Sequence, residues 1–223
     1  MARKRVFSLA VALLSCWASA AAAQAGSPAA PLNAQGAAVS VSVGYLERDL
    51  RGGNERASSF MTRLGGAFGV SDELSLYGYA GVSDVKFRQA DFDGSRGADL
   101  GLGARYALLS FPQSRTKLVL DLQAGMLRVT DDGHTVREEE YHAATYVVKE
   151  LAASGGAGAL HPYGGFRASF AKYRGADVGG RRLETLVGAF LGADYFLTPN
   201  VYFSGAVHLF DESSLTVSAG YRF

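Results

Sequence analysis

The sequence has little of what disulfide-bonded, metal-binding and nucleic-acid-binding proteins need. Its 223 residues include one cysteine, which excludes a disulfide scaffold, and no cysteine–histidine cluster has the spacing of a zinc site. The formal net charge is only +1, so no strong basic field points to nucleic acid. After the N-terminal region no stretch reaches 18 apolar residues, so no transmembrane helix is predicted there.

Glycine and aromatic residues are abundant instead. The chain has 28 glycines, 11 tyrosines and 13 phenylalanines, and 48% of its residues are hydrophobic. This composition is too apolar and too nearly neutral for a disordered chain, and it is unusual for a helical or α/β enzyme. It suits many twisted antiparallel strands with aromatic ends, and the length suggests one domain, or two at most.

The N-terminus has the pattern of a secretory signal peptide. Three basic residues fall within the first five, an apolar run covers residues 6–17, and small residues follow up to Ala23. Cleavage after Ala20 or Ala23 fits this pattern, and we take residues 1–23 as the signal peptide. Its removal takes away three bases and no acid, so the net charge changes from +1 to −2. Residues 24–36 are rich in Ala, Gly, Ser and Pro and are predicted to form a flexible lead-in.

Two alternatives remain open for this N-terminal segment. One is a membrane anchor, although the apolar run is shorter than the roughly 20 residues that a span needs. The other is lipidation, since residues 13–16 (LLSC) resemble the lipobox of bacterial lipoproteins, in which the cysteine is acylated after cleavage. With ordinary cleavage Cys16 is removed, and the mature chain has no thiol.

The rest of the chain alternates between apolar and polar residues, as half-buried β-strands do. In the last strand the apolar positions are Leu215, Val217, Ala219, Tyr221 and Phe223. Similar segments of about ten residues recur along 37–223, which matches the 9–11 residues of a tilted membrane strand. The export signal and the aromatic residues near segment ends indicate that the apolar face contacts lipid. In lipid every backbone N–H and C=O group must be paired within the protein, so the strands are predicted to close into a barrel.

Short motifs punctuate the alternating segments. Residues 71–77 (SDELSLY) and 198–202 (TPNVY) have the form of short turns, residues 161–165 (HPYGG) that of a strand start, and the chain ends on YRF at 221–223. Together with the signal peptide and the strands, these motifs resemble small Gram-negative outer-membrane β-barrel proteins of the OmpA-like, opacity-like and attachment/invasion-like group. The resemblance covers about 37–223 and implies an up-and-down antiparallel barrel, exported through the periplasm to the outer membrane.

The resemblance also implies partners. Outer-membrane lipid and lipopolysaccharide would surround the barrel. The barrel-assembly machinery would recognise the C-terminal aromatic residue and the apolar residues at alternate positions before it, here Leu215, Val217, Ala219, Tyr221 and Phe223. No nucleic acid and no cofactor are predicted, and the sequence does not identify a host or envelope protein ligand.

The number of strands depends on one ambiguous segment. Nine segments are clear, but residues 141–151 also fit a helix, because apolar residues recur there at helical spacing. A barrel with both termini in the periplasm needs an even number of strands, so residues 143–151 are predicted to be the sixth of ten. Eight strands are the alternative, with two segments absorbed into a long excursion within 130–162. Outer loops are predicted near 48–57, 84–97, 130–141, 174–182 and 210–214, and periplasmic turns near 70–73, 110–116, 153–161 and 197–200.

The face opposite the lipid is predicted to form a polar lumen. Its titratable residues are Arg63, Asp99, Arg105, Asp121, Lys149, Arg167, Glu184, Asp194, His208 and Arg222. Apart from the histidine, these are five bases and four acids, and the balance favours a plug of paired side chains over an ion-selective pore. The alternative is a narrow porin or transport channel.

Evidence for catalysis is weak. His208 and four polar residues of the last hairpin, Asp211, Glu212, Ser213 and Ser214, could serve acyl transfer. Lipid A deacylase barrels have a His-x-Ser-Asn motif there, whereas residues 208–211 of this chain are HLFD. A lumen histidine beneath a polar turn is the simpler interpretation, so no catalytic, cofactor-binding or metal-binding residue is predicted. Two sets of charged residues are predicted to lie in solvated outer loops: the run at 137–140, and the arginines at 174, 181 and 182. For the three arginines, contact with lipopolysaccharide phosphates is the alternative.

Overall fold

The computed structural model describes residues 28–51, 55–88, 92–152, 158–175, 180–183 and 185–223. The predicted signal peptide, with Cys16, lies outside the described residues, and so does Glu184. The only helix among the described residues is a single 3₁₀ turn at Pro112–Ser114, and no described helix is long and apolar enough to cross a membrane.

The described chain is almost entirely β-strand. The strands are β1 Ala37–Leu50, β2 Glu55–Gly69, β3 Leu74–Phe87, β4 Phe92–Phe111, β5 Thr116–Asp131, β6 His134–Lys149, β7 Leu151–Ala152, β8 Ala159–Arg174, β9 Val187–Phe196, β10 Val201–Leu209 and β11 Ser213–Arg222. The two-residue β7 follows β6 on the same side of β8 and pairs with β8, as β6 does. The wall therefore consists of ten strand positions.

The ten positions close into an antiparallel barrel. Each strand pairs with its neighbour in the chain, and β1 also pairs with β11, so that Tyr45 faces Phe60 on one side and Leu215 on the other. The start of β1 and the end of the chain meet at one rim, where the Phe223 amide donates a hydrogen bond to the Ala37 carbonyl (2.8 Å). We call this the terminal rim and the opposite end the distal rim. The prediction of ten strands is confirmed, and the eight-stranded alternative is wrong.

At strand β6 the structure excludes one alternative of the sequence analysis and contradicts one of its predictions. Residues 141–149 are strand and not helix, since β6 pairs with β5 on one side and β8 on the other along its length. The predicted outer loop at 130–141 is also absent, because β5 and β6 are joined by a two-residue turn at Asp132 and Gly133. Both turn residues have positive φ, +42° and +85°, as the tightest hairpin turns require. The run at 137–140 therefore belongs to a strand.

The two faces of the wall have opposite polarity. Large apolar side chains such as Leu64, Leu102 and Leu191 are more than 60% exposed on the outside, whereas Asp99 and Arg105 are buried inside. This is the reverse of a soluble protein. An apolar outer belt around a fully paired backbone is stable in a bilayer, where lipid tails cover it.

The wall near the distal rim is completed by a short ribbon at residues 181–183. Strands β9, β10 and β11 have ten residues or fewer, whereas β1 to β6 have 14–20. Beyond their ends, the Tyr173 amide of β8 donates to the Arg181 carbonyl (2.9 Å), and the Arg51 amide after β1 donates to the Arg182 carbonyl (2.8 Å). Leu183 of the ribbon also bridges to Leu50. The ribbon thus connects β8 to β1, with Leu183 buried inside.

Candidate functional site: the charged layer of the lumen

Two ion pairs lie at mid-height in the lumen, one joining β2 to β4 across β3 and the other joining the neighbouring strands β4 and β5. Arg63 Nε donates to Asp99 Oδ2 at 2.6 Å, and Arg105 Nε donates to Asp121 Oδ2 at 2.7 Å. All four side chains are buried. The sequence analysis placed all four on the lumen face, and the structure brings them together as two pairs.

Each of these arginines lies on a tyrosine that in turn lies on a glycine. The Arg63 guanidinium is 4.4 Å from the ring centre of Tyr79, and the Arg105 guanidinium is 4.4 Å from that of Tyr77. Each tyrosine lies across a directly opposed glycine of the next strand; such pairs are Tyr77–Gly103, Tyr79–Gly101, Tyr163–Gly192 and Tyr202–Gly220. The rings occupy the space that side chains at the glycines would fill. These pairs use four of the 28 glycines and four of the 11 tyrosines of the chain.

Arg167 pairs with residues of the β10–β11 turn. Its Nε donates to Asp211 Oδ2 at 2.7 Å, and its Nη2 lies 2.7 Å from Glu212 Oε1. Burial raises the pKa of Glu212, but Arg167 and Arg48 outweigh burial and hold that pKa well below its ordinary value. Glu212 is therefore a carboxylate shared by two arginines.

A second group of charges crosses the lumen around Arg48 of β1. Its Nε donates to Glu212 Oε2 at 2.8 Å, and its two terminal nitrogens donate to Glu138 and Glu140 of β6. Strands β1 and β6 lie on opposite sides of the barrel, so Arg48 bridges the full width of the lumen. We call Arg48, Glu138, Glu140 and Glu212 the Arg48 cluster. Its side chains are at most 3% exposed, and the sequence analysis found none of them in this role.

The two lumen histidines adjoin these charges. His142 Nδ1 shares a hydrogen bond with Ser169 Oγ (2.8 Å), and its Nε2 lies 2.7 Å from Glu140 Oε1. This resembles a serine–histidine–acid arrangement, but Ser169 Oγ also donates to Asp211 Oδ2 at 2.6 Å and is buried. The adjoining cavity has about 20 Å³, room for about one water molecule and not for a substrate. His208 is buried and stacks on Phe190, with 5.3 Å between ring centres.

Apolar layers lie on both sides of the charges. Towards the distal rim, one cluster comprises Leu50, Ala57, Val85, Phe87, Phe92, Leu127, Val129, Val136, Ala171, Tyr173 and Leu183. Towards the terminal rim, Val119, Tyr146, Tyr163 and Phe190 pack together with Ala29 of the N-terminal segment. The charged groups are thus enclosed between two apolar layers.

Residues 28–32 enter the barrel from the terminal rim and reach the apolar layer at that end. The Ala29 amide donates to Asp194 Oδ2 (2.7 Å), Tyr146 donates to the Ala29 carbonyl (2.6 Å), and Arg105 donates to the Pro28 carbonyl (2.6 Å). The Leu32 amide donates to Ser75 Oγ at 2.7 Å. The lead-in was predicted as flexible over 24–36, but its residues 28–32 are hydrogen-bonded inside the barrel. Asp194, predicted as a lumen acid, binds this backbone and not an arginine.

The remaining predicted residues lie elsewhere. Lys149 was predicted in the lumen, but it is exposed on the outer face of β6, because Tyr146 and Val148 point inward and alternation places residue 149 outside. Arg222 lies at the terminal rim, donates to the Pro199 carbonyl (2.9 Å) and covers the ring of Phe196. Glu184 lies outside the described residues. The five residues of the predicted assembly signal line the exposed outer face at the end of the chain: Leu215, Val217, Ala219, Tyr221 and Phe223.

Comparison with known proteins finds similar solved structures but no match in sequence. No family model and no curated protein matches the chain. Among solved structures, the translocator domain of autotransporter NalP from Neisseria meningitidis is 11% identical, with 86% of this chain and 90% of that chain covered and a TM-score of 0.47. The outer-membrane protease OmpT from Escherichia coli is 11% identical (84% and 95% covered, TM-score 0.45). The outer-membrane protein OprG from Pseudomonas aeruginosa is 12% identical (86% and 98% covered, TM-score 0.37).

Two of these proteins are named as outer-membrane proteins. The fold class expected from the sequence is confirmed by the closed ten-stranded wall and its apolar outer belt. The three solved structures include a translocator domain and a protease, so the likeness does not indicate a function for this chain. Evidence on function has to come from its own lumen and surface.

Proposed function

We propose that this protein is a non-conducting outer-membrane β-barrel with a structural or surface-interaction role. The observation that supports this proposal is the filling of the lumen at every level between the rims. Residues 28–32 and an aromatic layer occupy the terminal end, paired charges occupy the middle, and an apolar cluster occupies the distal end. The terminal rim corresponds to the periplasmic side, where the family resemblance places both chain ends.

The distal apolar cluster argues most directly against a channel. A water-filled pore is lined by polar side chains, whereas here Phe87, Phe92 and Tyr173 pack edge to face across the lumen, with ring centres 5.3–5.9 Å apart. On the side of these rings nearer the terminal rim, Arg48 joins opposite walls of the barrel. An ion crossing this section would have to separate close-packed rings and break buried ion pairs.

Reconstituted into planar bilayers, the folded protein is expected to show no stable conductance steps, because the distal rings and the Arg48 cluster block its axis. Single-channel recording measures this, and liposome swelling in small sugars gives a second readout. Folding is verified first by the difference in gel mobility between boiled and unboiled samples. Protein that is folded by this criterion and gives reproducible steps would favour the narrow-channel alternative.

We also propose that the C-terminal strand is recognised by the barrel-assembly machinery. The Phe223 side chain is 70% exposed and contacts Tyr221, with 5.0 Å between ring centres, so it contributes little packing to the finished barrel. A requirement for Phe223 would therefore reflect recognition during assembly.

Phe223→Ala is accordingly expected to lower the amount of folded barrel in the outer-membrane fraction severalfold. Phe203→Ala is the matched control, because Phe203 is also an outward-facing aromatic residue, in the neighbouring strand β10. Unboiled gel mobility of membrane fractions measures the folded amount. Equal amounts of the two variants would contradict a special role for the terminal aromatic residue.

A further inference from the structure

One side of the outer surface has three arginines in a row. On the outer faces of β5, β6 and β8, Arg128 is directly opposite Arg137, and Arg137 is directly opposite Arg174. All three are exposed. Neighbouring strands are about 4.8 Å apart, so the row brings three like charges close together across the sheet, an arrangement that is destabilising unless an anion compensates it.

The adjacent row adds further positive charge. Glu139 of β6 is opposite Lys172 of β8, and Lys172 is bridged to Arg182 of the ribbon. Glu139 Oε1 lies 3.4 Å from Arg137 Nε, and its Oε2 lies 3.2 Å from Arg174 Nη2. We call the six residues Arg128, Arg137, Glu139, Lys172, Arg174 and Arg182 the basic face. It has five cations and one carboxylate.

The basic face lies immediately distal to an aromatic pair. Tyr141 and Phe170 are directly opposite one another, with ring centres 6.3 Å apart, two residues from Glu139 and Lys172 towards the middle of the barrel. Arg182 extends over Phe170, with its guanidinium 5.8 Å from the ring centre. Aromatic side chains mark the membrane–water interface of such barrels. The arginine row is therefore at the level of the headgroups of the distal leaflet.

The opposite side of the barrel lacks this excess of positive charge among its described ion pairs. There Arg56 of β2 is paired with both Glu47 and Asp49 of β1. Strands β1 and β2 lie diametrically opposite β6 and β8. The cation of the β1–β2 side is thus compensated by two carboxylates, whereas the five cations of the basic face share one.

From this geometry we infer that the basic face binds the phosphate groups of a phosphorylated glycolipid of the outer leaflet, that is, lipopolysaccharide. The inference rests on the outer-membrane location in the proposed function. Guanidinium groups present a planar fork of donors that matches phosphate oxygens, and three of them in a row can share more than one phosphate. The aromatic pair and the apolar wall beneath would contact the acyl chains of the same lipid. One lipid thus fits the charge and the apolar surface together.

The test measures binding of purified lipopolysaccharide to the folded full-length mature protein in neutral detergent, with a chelator present to remove bridging cations. The double variant Arg137→Gln/Arg174→Gln is expected to bind about tenfold more weakly, through loss of two charge-assisted contacts. Arg128→Gln removes the third arginine of the row without touching the pairs to Glu139, and a several-fold loss is expected. Arg56→Gln is the control on the opposite side, and its binding is expected to equal that of the unmodified protein.

Two further probes identify the chemical group that is bound. Enzymatically dephosphorylated lipopolysaccharide is expected to bind as weakly to the unmodified protein as intact lipid binds to the double variant. Inorganic phosphate is expected not to displace the lipid, and displacement would indicate a general anion site and overturn the assignment to a lipid. Equal binding by the double variant and the control would also overturn it. Gel mobility establishes separately that each variant is a folded barrel, so failure of the outer-membrane barrel itself would be recognised as such.

Discussion

Replacing Arg48 with methionine is expected to destabilise the barrel by about 3–5 kcal/mol, because removal of one partner from a buried ion pair leaves uncompensated charge. Glu138 and Glu140 would lose the guanidinium that they share, and Glu212 would keep only Arg167. Methionine fills part of the vacated space, so the loss reports mainly on charge. Urea unfolding of protein refolded into vesicles, followed by unboiled gel mobility and circular dichroism, measures the free energy of unfolding.

The matched control for Arg48 is Arg56→Met. Arg56 also pairs with two carboxylates, Glu47 and Asp49, but all three side chains are substantially exposed. Exposed ion pairs contribute about 0–1 kcal/mol, so this variant should lose no more than that. Adding Glu138→Gln and Glu140→Gln to Arg48→Met should recover part of the lost stability, since the unpaired carboxylates disappear. If Arg48→Met unfolds at the same urea concentration as Arg56→Met, the Arg48 cluster does not stabilise the barrel through its charges.

The membrane-spanning part of the fold could be predicted because the alternation of apolar and polar residues within it has one cause, the contact of one face with lipid. Wherever the outer face contacts lipid, every second residue must be apolar, and in β11 this identifies both faces of the strand. The same rule placed Arg63, Asp99, Arg105 and Asp121 on one face. Which arginine pairs with which acid follows from strand register, and register was not visible in the sequence.

The Arg48 cluster could not be predicted because its strands continue beyond the lipid. Strand lengths of about ten residues were expected, but β1, β5 and β6 have 14–16 residues, and their distal ends were assigned to loops. Between the lipid belt and the distal rim both faces of a strand can be charged, so residues 137–140 show no alternation of apolar and polar residues. The usable signals were Asp132-Gly133, a tight-turn pair, and the spacing of two between Glu138, Glu140 and His142.

The misplacement of Lys149 has a different physical cause. The prediction assumed that the inward face is polar at every level, but near the terminal rim it is apolar, with Tyr146 and Val148 packed against Val119 and the N-terminal segment. There the lipid-facing and lumen-facing sides of β6 are both largely apolar, and polarity does not distinguish them. A polar residue at a strand end then contains no information about which face is inside.

The second large effect is expected at Gly101, where valine should prevent formation of a stable barrel. A Cβ atom at residue 101 would lie inside contact distance of the Tyr79 ring, which crosses directly above it. Tyr79 cannot move away freely, because Arg63 covers its other side and is itself fixed by Asp99. Overpacking of a tightly filled interior costs about 1–3 kcal/mol or more, and here the displaced ring also disturbs a buried ion pair. Gel mobility after refolding, with urea unfolding of any folded fraction, measures the effect.

Gly205→Val is the matched control, because Gly205 is also a mid-strand glycine but points outward, and a Cβ there meets no atom within 4 Å. Its folded yield should equal that of the unmodified protein, since valine suits both strand backbone and a lipid-facing surface. The double variant Gly101→Val/Tyr79→Ser should fold better than Gly101→Val alone, because the clashing ring is gone. If instead the double variant folds no better, the steric role of the glycine would be contradicted, and backbone conformation at residue 101 would have to explain the loss. Recovery would show that Gly101 leaves space for the Tyr79 ring, which in turn supports Arg63 in the lumen.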